Sequence, residues 1–331
     1  MTVYSLLSKE WAKSLNSAVT EYKIYAPLVK SSSADYELIT AETIAEVAYD
    51  CLLPVTPLKA FFFPIRENVV KKQGEEKRVI IGARNCDLVA LSLLDAVFLD
   101  EDFVDPYYKN RRDNTIIIGS DCYAIKETCH CTTYGVEPYS EINFDLSLSF
   151  ADEKMYIRVG TDRGRNFLDS LNISGRQEID KLPEDILGKR ENTRQLLAEQ
   201  NKELPDREET KAIIAKTDDA FWQEYAKTCV SCGACSVICP TCHCFLLIDR
   251  EKFEKIKQWD ACQYPAFERV AAGEDPLKKL SKRLKNRYEC KYIHKPGMFN
   301  VIACTGCGRC IEACIGKISK NEVIIAARNK D

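Results

Sequence analysis

Few residues of this chain are suited to proton transfer at neutral pH. There are three histidines among 331 residues, and two of them, His130 and His243, stand between cysteines. General acid–base catalysis therefore has few candidates. No Ser-His-Asp arrangement and no H-E-x-x-H is present, no G-x-G-x-x-G follows a strand-like run, and there is no Walker-type loop. The segment VGTDRGRN (159–166) has two glycines at the wrong spacing for a nucleotide site. No stretch approaches the ~20 consecutive apolar residues of a membrane span. The first residues, MTVYSLLSKEWAKSL, look like a short amphipathic helix and lack the basic start, apolar run and cleavage site of a signal peptide, so the expected location is cytoplasmic. A net charge of −3 gives no reason to expect nucleic acid or an anionic membrane as partner.

Cysteine, in contrast, is abundant, with 17 residues. Disulfides are rare in a reducing cytosol, so thiols at this density point to metal ligation or redox chemistry. Two words carry the strongest signal. CVSCGACSVICP supplies Cys229, Cys232, Cys235 and Cys239, and CTGCGRCIEACI supplies Cys304, Cys307, Cys310 and Cys314. Both fit C-x2-C-x2-C-x3-C, which wraps three thiolates round one iron–sulfur cube and sends the fourth to the other cube. The expected sets are thus crossed: Cys229, Cys232, Cys235 and Cys314 for one [4Fe–4S] cluster, and Cys304, Cys307, Cys310 and Cys239 for the second. Structural zinc prefers separated C-x2-C pairs closing one tetrahedron, and two complete four-cysteine words argue against it. Ile315 stands where a proline usually follows the fourth cysteine, which removes no ligand. Sixty-four residues separate Cys239 from Cys304, too many for a small symmetric ferredoxin. With helical candidates between them (PAFERVAAG, PLKKLSKRLKNRYE), an α-helical ferredoxin-like domain over 216–331 is expected.

The first part of the chain, 1–174, reads as an α/β (α+β) domain. RVIIGA (78–83) and TIIIGS (115–120) have the short apolar pattern of strands, and DLVALSLLDAVFL (87–99) has apolar residues at helical spacing. Together they predict a β-α-β unit with parallel strands. Such strands end at one sheet edge, where open α/β sheets place their ligands; Cys86 and Cys122 lie just beyond them. Cys129 and Cys131 follow in the same loop as Cys122, within CYAIKETCHC. These four suffice for a third [4Fe–4S] cluster; the other reading is four thiols that never meet. His130 is an alternative ligand. AETIAEVAYDCLL (41–53) has helical composition, and residues 175–215 look like a charged helical connector. Cys242, Cys244 and Cys262 are surplus to the two words: they line the cluster environment, ligate a further metal or pack as small hydrophobes, with packing the default; Cys51 and Cys290 are isolated. The basic run from Lys278 to Lys291 is expected to be a solvated helix face. The sequence spells TCHC twice, at 128–131 and 241–244: the first copy falls in the candidate third site, the second beside ligands already assigned.

PLKAFFFPIRE, GARNCDLVALSLLDAVFLDEDFVDPYY, GSDCYAIKETCHCTTYG, CVSCGACSVICPTCHCF, QWDAC, YIHKPGMF and CTGCGRCIEAC follow one another in this order. The chain from about residue 57 onward resembles the iron–sulfur β subunit of soluble NAD(P)-linked nickel–iron hydrogenases (sulfhydrogenases), and also the A subunit of anaerobic sulfite reductase. The resemblance implies an electron-transfer subunit of a hetero-oligomer. A separate flavoprotein subunit would handle NAD(P)H, or ferredoxin would take its place, and another subunit would carry the catalytic oxidoreductase centre. A Cys-Asp pair after one strand, a cysteine after the next and a C-x-C beyond it match Cys86, Cys122, Cys129 and Cys131. The resemblance does not choose the terminal reaction. Two other readings stay open: a catalytic iron–sulfur reductase subunit of heterodisulfide-reductase type, whose catalytic cysteine motifs find no match here, and a redox-sensing or structural metalloprotein.

Overall fold

A computed structural model describes residues 2–72 and 74–330. The amphipathic N-terminus is a strand before it is a helix: β1 (Val3–Leu7) precedes α1 (Ser8–Ala18). VYSLL is extended because it pairs with two strands more than 140 residues away, a partnership its local pattern does not encode. β2 (Lys23–Lys30) and β3 (Ser33–Leu38) form a hairpin. The helical expectation for 41–53 fails, since only a 3₁₀ turn forms at Ile44–Glu46. Its backbone groups bond to distant partners instead: Ala48 N–H donates to the Pro27 carbonyl (2.9 Å), while the Tyr49 carbonyl accepts from Ser120 Oγ (2.9 Å) and that of Cys51 from Arg84 (2.5 Å).

After β4 (Arg66–Asn68) comes the β-α-β unit, with β5 (Arg78–Ala83), α2 (Asn85–Phe98), α3 (Pro106–Asp113) and β6 (Thr115–Ser120). β5 and β6 are parallel neighbours, as expected. β7 (Leu146–Ala151), β8 (Lys154–Val159), α4 (Asp162–Ser170) and β9 (Gln177–Ile179) complete this part. The eight-stranded sheet runs β3-β2-β5-β6-β7-β8-β1-β9. Its centre, β2-β5-β6-β7, is parallel and its flanks antiparallel. Alternation divides each central strand between two cores: Val79, Ile81, Ile116 and Ile118 pack with Trp11 and Leu15 of α1, whereas Ile80 and Ile117 face Leu88, Leu91 and Leu94 of α2. Burying each such side chain is worth about 1.5–3 kcal/mol. Both faces are covered, so the strands are apolar throughout.

The remainder is mainly helical: α5 (Glu184–Gln200), α6 (Arg207–Lys216), α7 (Asp219–Ala226), α8 (Ala234–Val237), α9 (Leu280–Glu289), α10 (Lys295–Phe299), α11 (Arg309–Glu312) and α12 (Lys320–Arg328). A hairpin of β10 (Phe245–Asp249) and β11 (Lys255–Trp259) interrupts it. β11 also pairs with β4, so the first part of the chain adds the third strand of this small sheet. PAFERVAAG forms turns instead of a helix, with Ala266 at φ 64° directly after Pro265. α9 continues through a π turn at Cys290–His294 into α10. This helix corrects the expectation of a solvated basic face. Arg283, Arg287, Lys291 and Lys295, four residues apart, are all buried, beside the buried Leu284, Tyr288 and Tyr292. Among the described residues no helix is long and apolar enough to cross a membrane.

Candidate metal centres

The two cysteine words fold alike. In each, the residue two after the first cysteine has positive φ (Ser231, 58°; Gly306, 68°). In each, a left-handed glycine (Gly233, 72°; Gly308, 75°) caps a four-residue helix carrying the third cysteine. These turns point successive thiols into one concavity. Cys229, Cys232 and Cys235 of the first word line a single cavity with Cys314 of the second. Cys310 also reaches it, as do Arg287, Tyr288 and Lys320. On the other side, the Cys307 thiol lies in electrostatic reach of Cys239 and Cys310, and Cys304 lies beside Tyr292 and Lys320. The fold thus gathers Cys229, Cys232, Cys235 and Cys314 round one cavity that Cys310 also lines, and sets Cys307 beside Cys239 and Cys310. Among the described residues, no three His, Cys, Asp or Glu side chains stand close enough to grip one metal ion.

Charge supplies a test of whether anionic clusters fit here. Arg287 is 4% exposed and, among the described residues, has no carboxylate partner and no acceptor for its Nε; its Nη2 donates to the Cys235 carbonyl (3.0 Å). Burial opposes its charge, yet the neighbouring thiols of Cys235, Cys310, Cys242 and Cys239 hold its pKa well above the ordinary value. Lys320 is also buried, donating to the hydroxyls of Tyr292 (2.7 Å) and Tyr134 (3.4 Å), with Cys304 and Cys310 as its nearest acidic thiols. A buried cation without an anion costs several kcal/mol. The groups placed to balance these are thiols, and burial pushes the empty Cys235 thiol up to about 11. Thiolates bound to iron satisfy the cations, which neutral thiols do not.

The α/β part places its four cysteines together as well. Cys86 sits in the first turn of α2, one turn beyond β5, and Cys122 two residues beyond β6. Their loop partners close the set: Cys131 lies in electrostatic reach of Cys122 and Cys129, and Cys86 in reach of Cys131. The loop is held from behind by α5, where Gln200 and Asn201 side chains donate to the Cys129 carbonyl (2.7 and 2.9 Å). Here too a buried cation lacks a carboxylate. Arg84, 1% exposed, donates to the carbonyls of Asp121, Tyr49 and Cys51, with its Nε unpartnered, and neighbours the thiols of Cys122 and Cys51. The Asp121 carboxylate is taken by Arg190 (2.7 and 3.0 Å). Cys51, isolated in the sequence, therefore stands beside this site. The His130 Nδ1 donates to the Thr128 carbonyl (2.8 Å), its buried Nε2 meets no hydrogen-bond partner among the described residues, and burial drives its pKa well below the ordinary value.

The loop bearing the first TCHC is docked on the second cysteine word. His130 N–H donates to the Gly306 carbonyl (2.9 Å). A Cβ on Gly306 would stand 2.5 Å from Cys131 Cα and N, and one on Gly308 would stand 2.5 Å from the Thr128 carbonyl oxygen. At the same junction Asp87, next to Cys86, accepts both Nη atoms of Arg309 at 2.7 Å, and neither side chain is more than 3% exposed. The Pro54 carbonyl takes the remaining Arg309 donors (3.0 and 2.8 Å). Cys86 and Cys307 share one apolar cluster with Leu53, Val89 and Val136.

The second TCHC lies on the far side of Cys239. The Cys242 thiol donates to Cys239, which holds Cys239 well below the usual thiol range, helped by Lys291 and Arg287. Burial and then the ammonium groups of Lys295 and Lys291 push the His243 pKa down to about 2.

A family model described as a 4Fe-4S dicluster domain matches residues 228–318, the span of both cysteine words. Over 324 aligned residues the chain is 30% identical to sulfhydrogenase 2 subunit beta of Pyrococcus furiosus, with 92% of each chain covered. A match of that extent includes the α/β sheet as well as the dicluster part, and the chain belongs to the sulfhydrogenase β-subunit family.

Proposed function

We propose that this chain relays electrons through three [4Fe–4S] clusters inside a multisubunit oxidoreductase. The clusters, when bound, supply one-electron transfer at low solvent exposure. Cys86, Cys122, Cys129 and Cys131 would hold the first in the series, Cys304, Cys307, Cys310 and Cys239 the next, and Cys229, Cys232, Cys235 and Cys314 the last. One observation carries the reading: the three thiol sets are contiguous. Cys86 lies against Cys307, and Cys310 reaches both Cys307 and Cys235. On this division the α/β part, 1–174, presents one end of the series, 175–215 braces it, and 216–331 presents the other.

The chain's own residues insulate and steady the series. Arg84, Arg287 and Lys320 place fixed positive charge beside the thiolates, and Arg309–Asp87 ties one set to the next. Its outer end reaches the surface at the exposed Cys232, flanked by Val230 (59% exposed) and Ile315 (66%), which suits contact with a partner subunit. The relative is by name one subunit of a sulfhydrogenase. By similarity, a flavoprotein subunit that handles NAD(P)H, or ferredoxin, would stand at one end. A catalytic subunit such as a hydrogenase or sulfite reductase would stand at the other.

Cubane EPR signals from the anaerobically purified full-length chain test the reading. Cys129→Ser and Cys131→Ser should each remove about four iron while the signals of the other two clusters persist. Unchanged iron in both variants rejects the third site, and NAD(P)H oxidation by the chain without a flavoprotein rejects the relay role.

A further inference from the structure

Four cysteines remain outside the three sets in the second half of the chain; the fold brings Cys262 and Cys290 to Cys244, and Cys242 stands two residues before it in the same loop. The β10–β11 ladder ends with Phe245 opposite Trp259. Just past it Asp260 N–H donates to the Cys244 carbonyl (3.0 Å), which brings the 260–263 turn and its Cys262 alongside Cys244. Cys290 closes α9 where the helix widens into its π turn, a distortion that recurs at functional sites. The Cys244 thiol is in electrostatic reach of both Cys262 and Cys290. Cys242, one residue from His243, is 7% exposed, as is Cys262.

Three buried ammonium groups converge on the same loop. Lys59 donates to the Cys242 carbonyl (2.9 Å), Lys291 to Thr241 Oγ1, and Lys295 to the Thr241 carbonyl and His243 Nδ1 (both 3.2 Å). They are 2%, 3% and 7% exposed, and none has a carboxylate partner among the described residues. Lys59 gains a cation–π contact with Trp259 (4.2 Å), worth about 2 kcal/mol when desolvated, which does not offset the cost of burying three charges. Packing accounts for one or two buried thiols but not for three cations driven into their midst; a doubly or triply anionic group does.

We propose that Cys242, Cys244, Cys262 and Cys290 hold a further [4Fe–4S] cluster, caged by Lys59, Lys291 and Lys295. Binding would exchange four thiol protons, released to solvent, for four sulfur–iron bonds. The ammonium groups balance the charge that results. The site would lie next to Cys239, as a branch from the middle of the relay.

Iron and sulfide in the anaerobically purified full-length chain decide this. About 16 of each per chain are expected if the three-cluster relay also holds. Cys262→Ser, and Cys290→Ser at a half-buried helix position, should then each remove about a quarter of the iron. Unchanged iron in a folded Cys290→Ser chain overturns the proposal. A total of about 12 that falls to about 8 in Cys129→Ser but not in Cys290→Ser also overturns it, and leaves the relay reading intact. A total of about 12 that falls in Cys290→Ser but not in Cys129→Ser upholds this site and refutes the one in the α/β part.

Discussion

The Arg309–Asp87 pair joins two candidate sites through one buried bidentate contact, and its removal should be costly in a characteristic way. Both N–O distances are 2.7 Å and the carboxylate is fully buried. Arg309→Met leaves Asp87 charged with no partner, and Asp87→Leu leaves a buried guanidinium beside Cys307 and Cys86. Breaking a buried pair from one side costs about 3–5 kcal/mol, because the survivor stays desolvated. Arg309→Met should be the more damaging of the two, since the Pro54 carbonyl also loses charged donors worth about 1.5–3 kcal/mol each. The double variant carries no orphan charge, so its cost should fall below the sum of the single costs by on the order of 3 kcal/mol. Urea unfolding under anaerobic conditions, followed by far-ultraviolet circular dichroism and visible absorbance, measures all three. Costs that add to within about 0.5 kcal/mol would show that the residues do not act as a pair and refute the reasoning.

Two further outcomes follow from the same geometry. Gly306→Ala must force a Cβ into the backbone of Cys131 at positive φ, costing more than about 1–2 kcal/mol from the backbone alone. Gly297→Ala, in open helical space, should leave stability unchanged or raise it, so equal melting of the two variants would contradict the docking described. Arg287→Met removes a buried positive charge beside Cys235 and Cys310 and should make cluster reduction harder. Midpoints in an EPR-monitored titration should fall on the order of 50–100 mV, from one charge at an effective dielectric near 20, and a rise would be inconsistent with the compensation argument.

The β5-α2-β6 unit was legible because its information is local: six-residue Ile- and Val-rich runs and a helix with apolar spacing. The cysteine words were legible because ligand spacing is itself a local code. β1 was not, since its partners lie far along the chain, and neither was the turn at 41–53, whose carbonyls are claimed by Ser120 and Arg84. The inward stripe of Arg283, Arg287, Lys291 and Lys295 reversed the ordinary reading of charge. Lysine and arginine go outward unless something anionic waits inside, and what waits is thiol. Arg309 and Asp87 stand 222 residues apart, and the Cys-Asp pair gave no sign of the arginine that the Asp would meet. Cys290 and Cys51 looked solitary because helix α9 and the 41–53 turn deliver them to their neighbours only in three dimensions.

The meeting of the first TCHC loop with the second cysteine word is main chain against main chain. Tunnelling rates fall steeply with distance, so a relay is only as dependable as the spacing of its stations. Side chains hop between rotamers and drift during evolution, but a peptide unit seated on a glycine has no such freedom. In the proposed relay the gap between two stations is therefore gauged by the polypeptide itself. Substitutions elsewhere can retune the potential of either station without moving them apart.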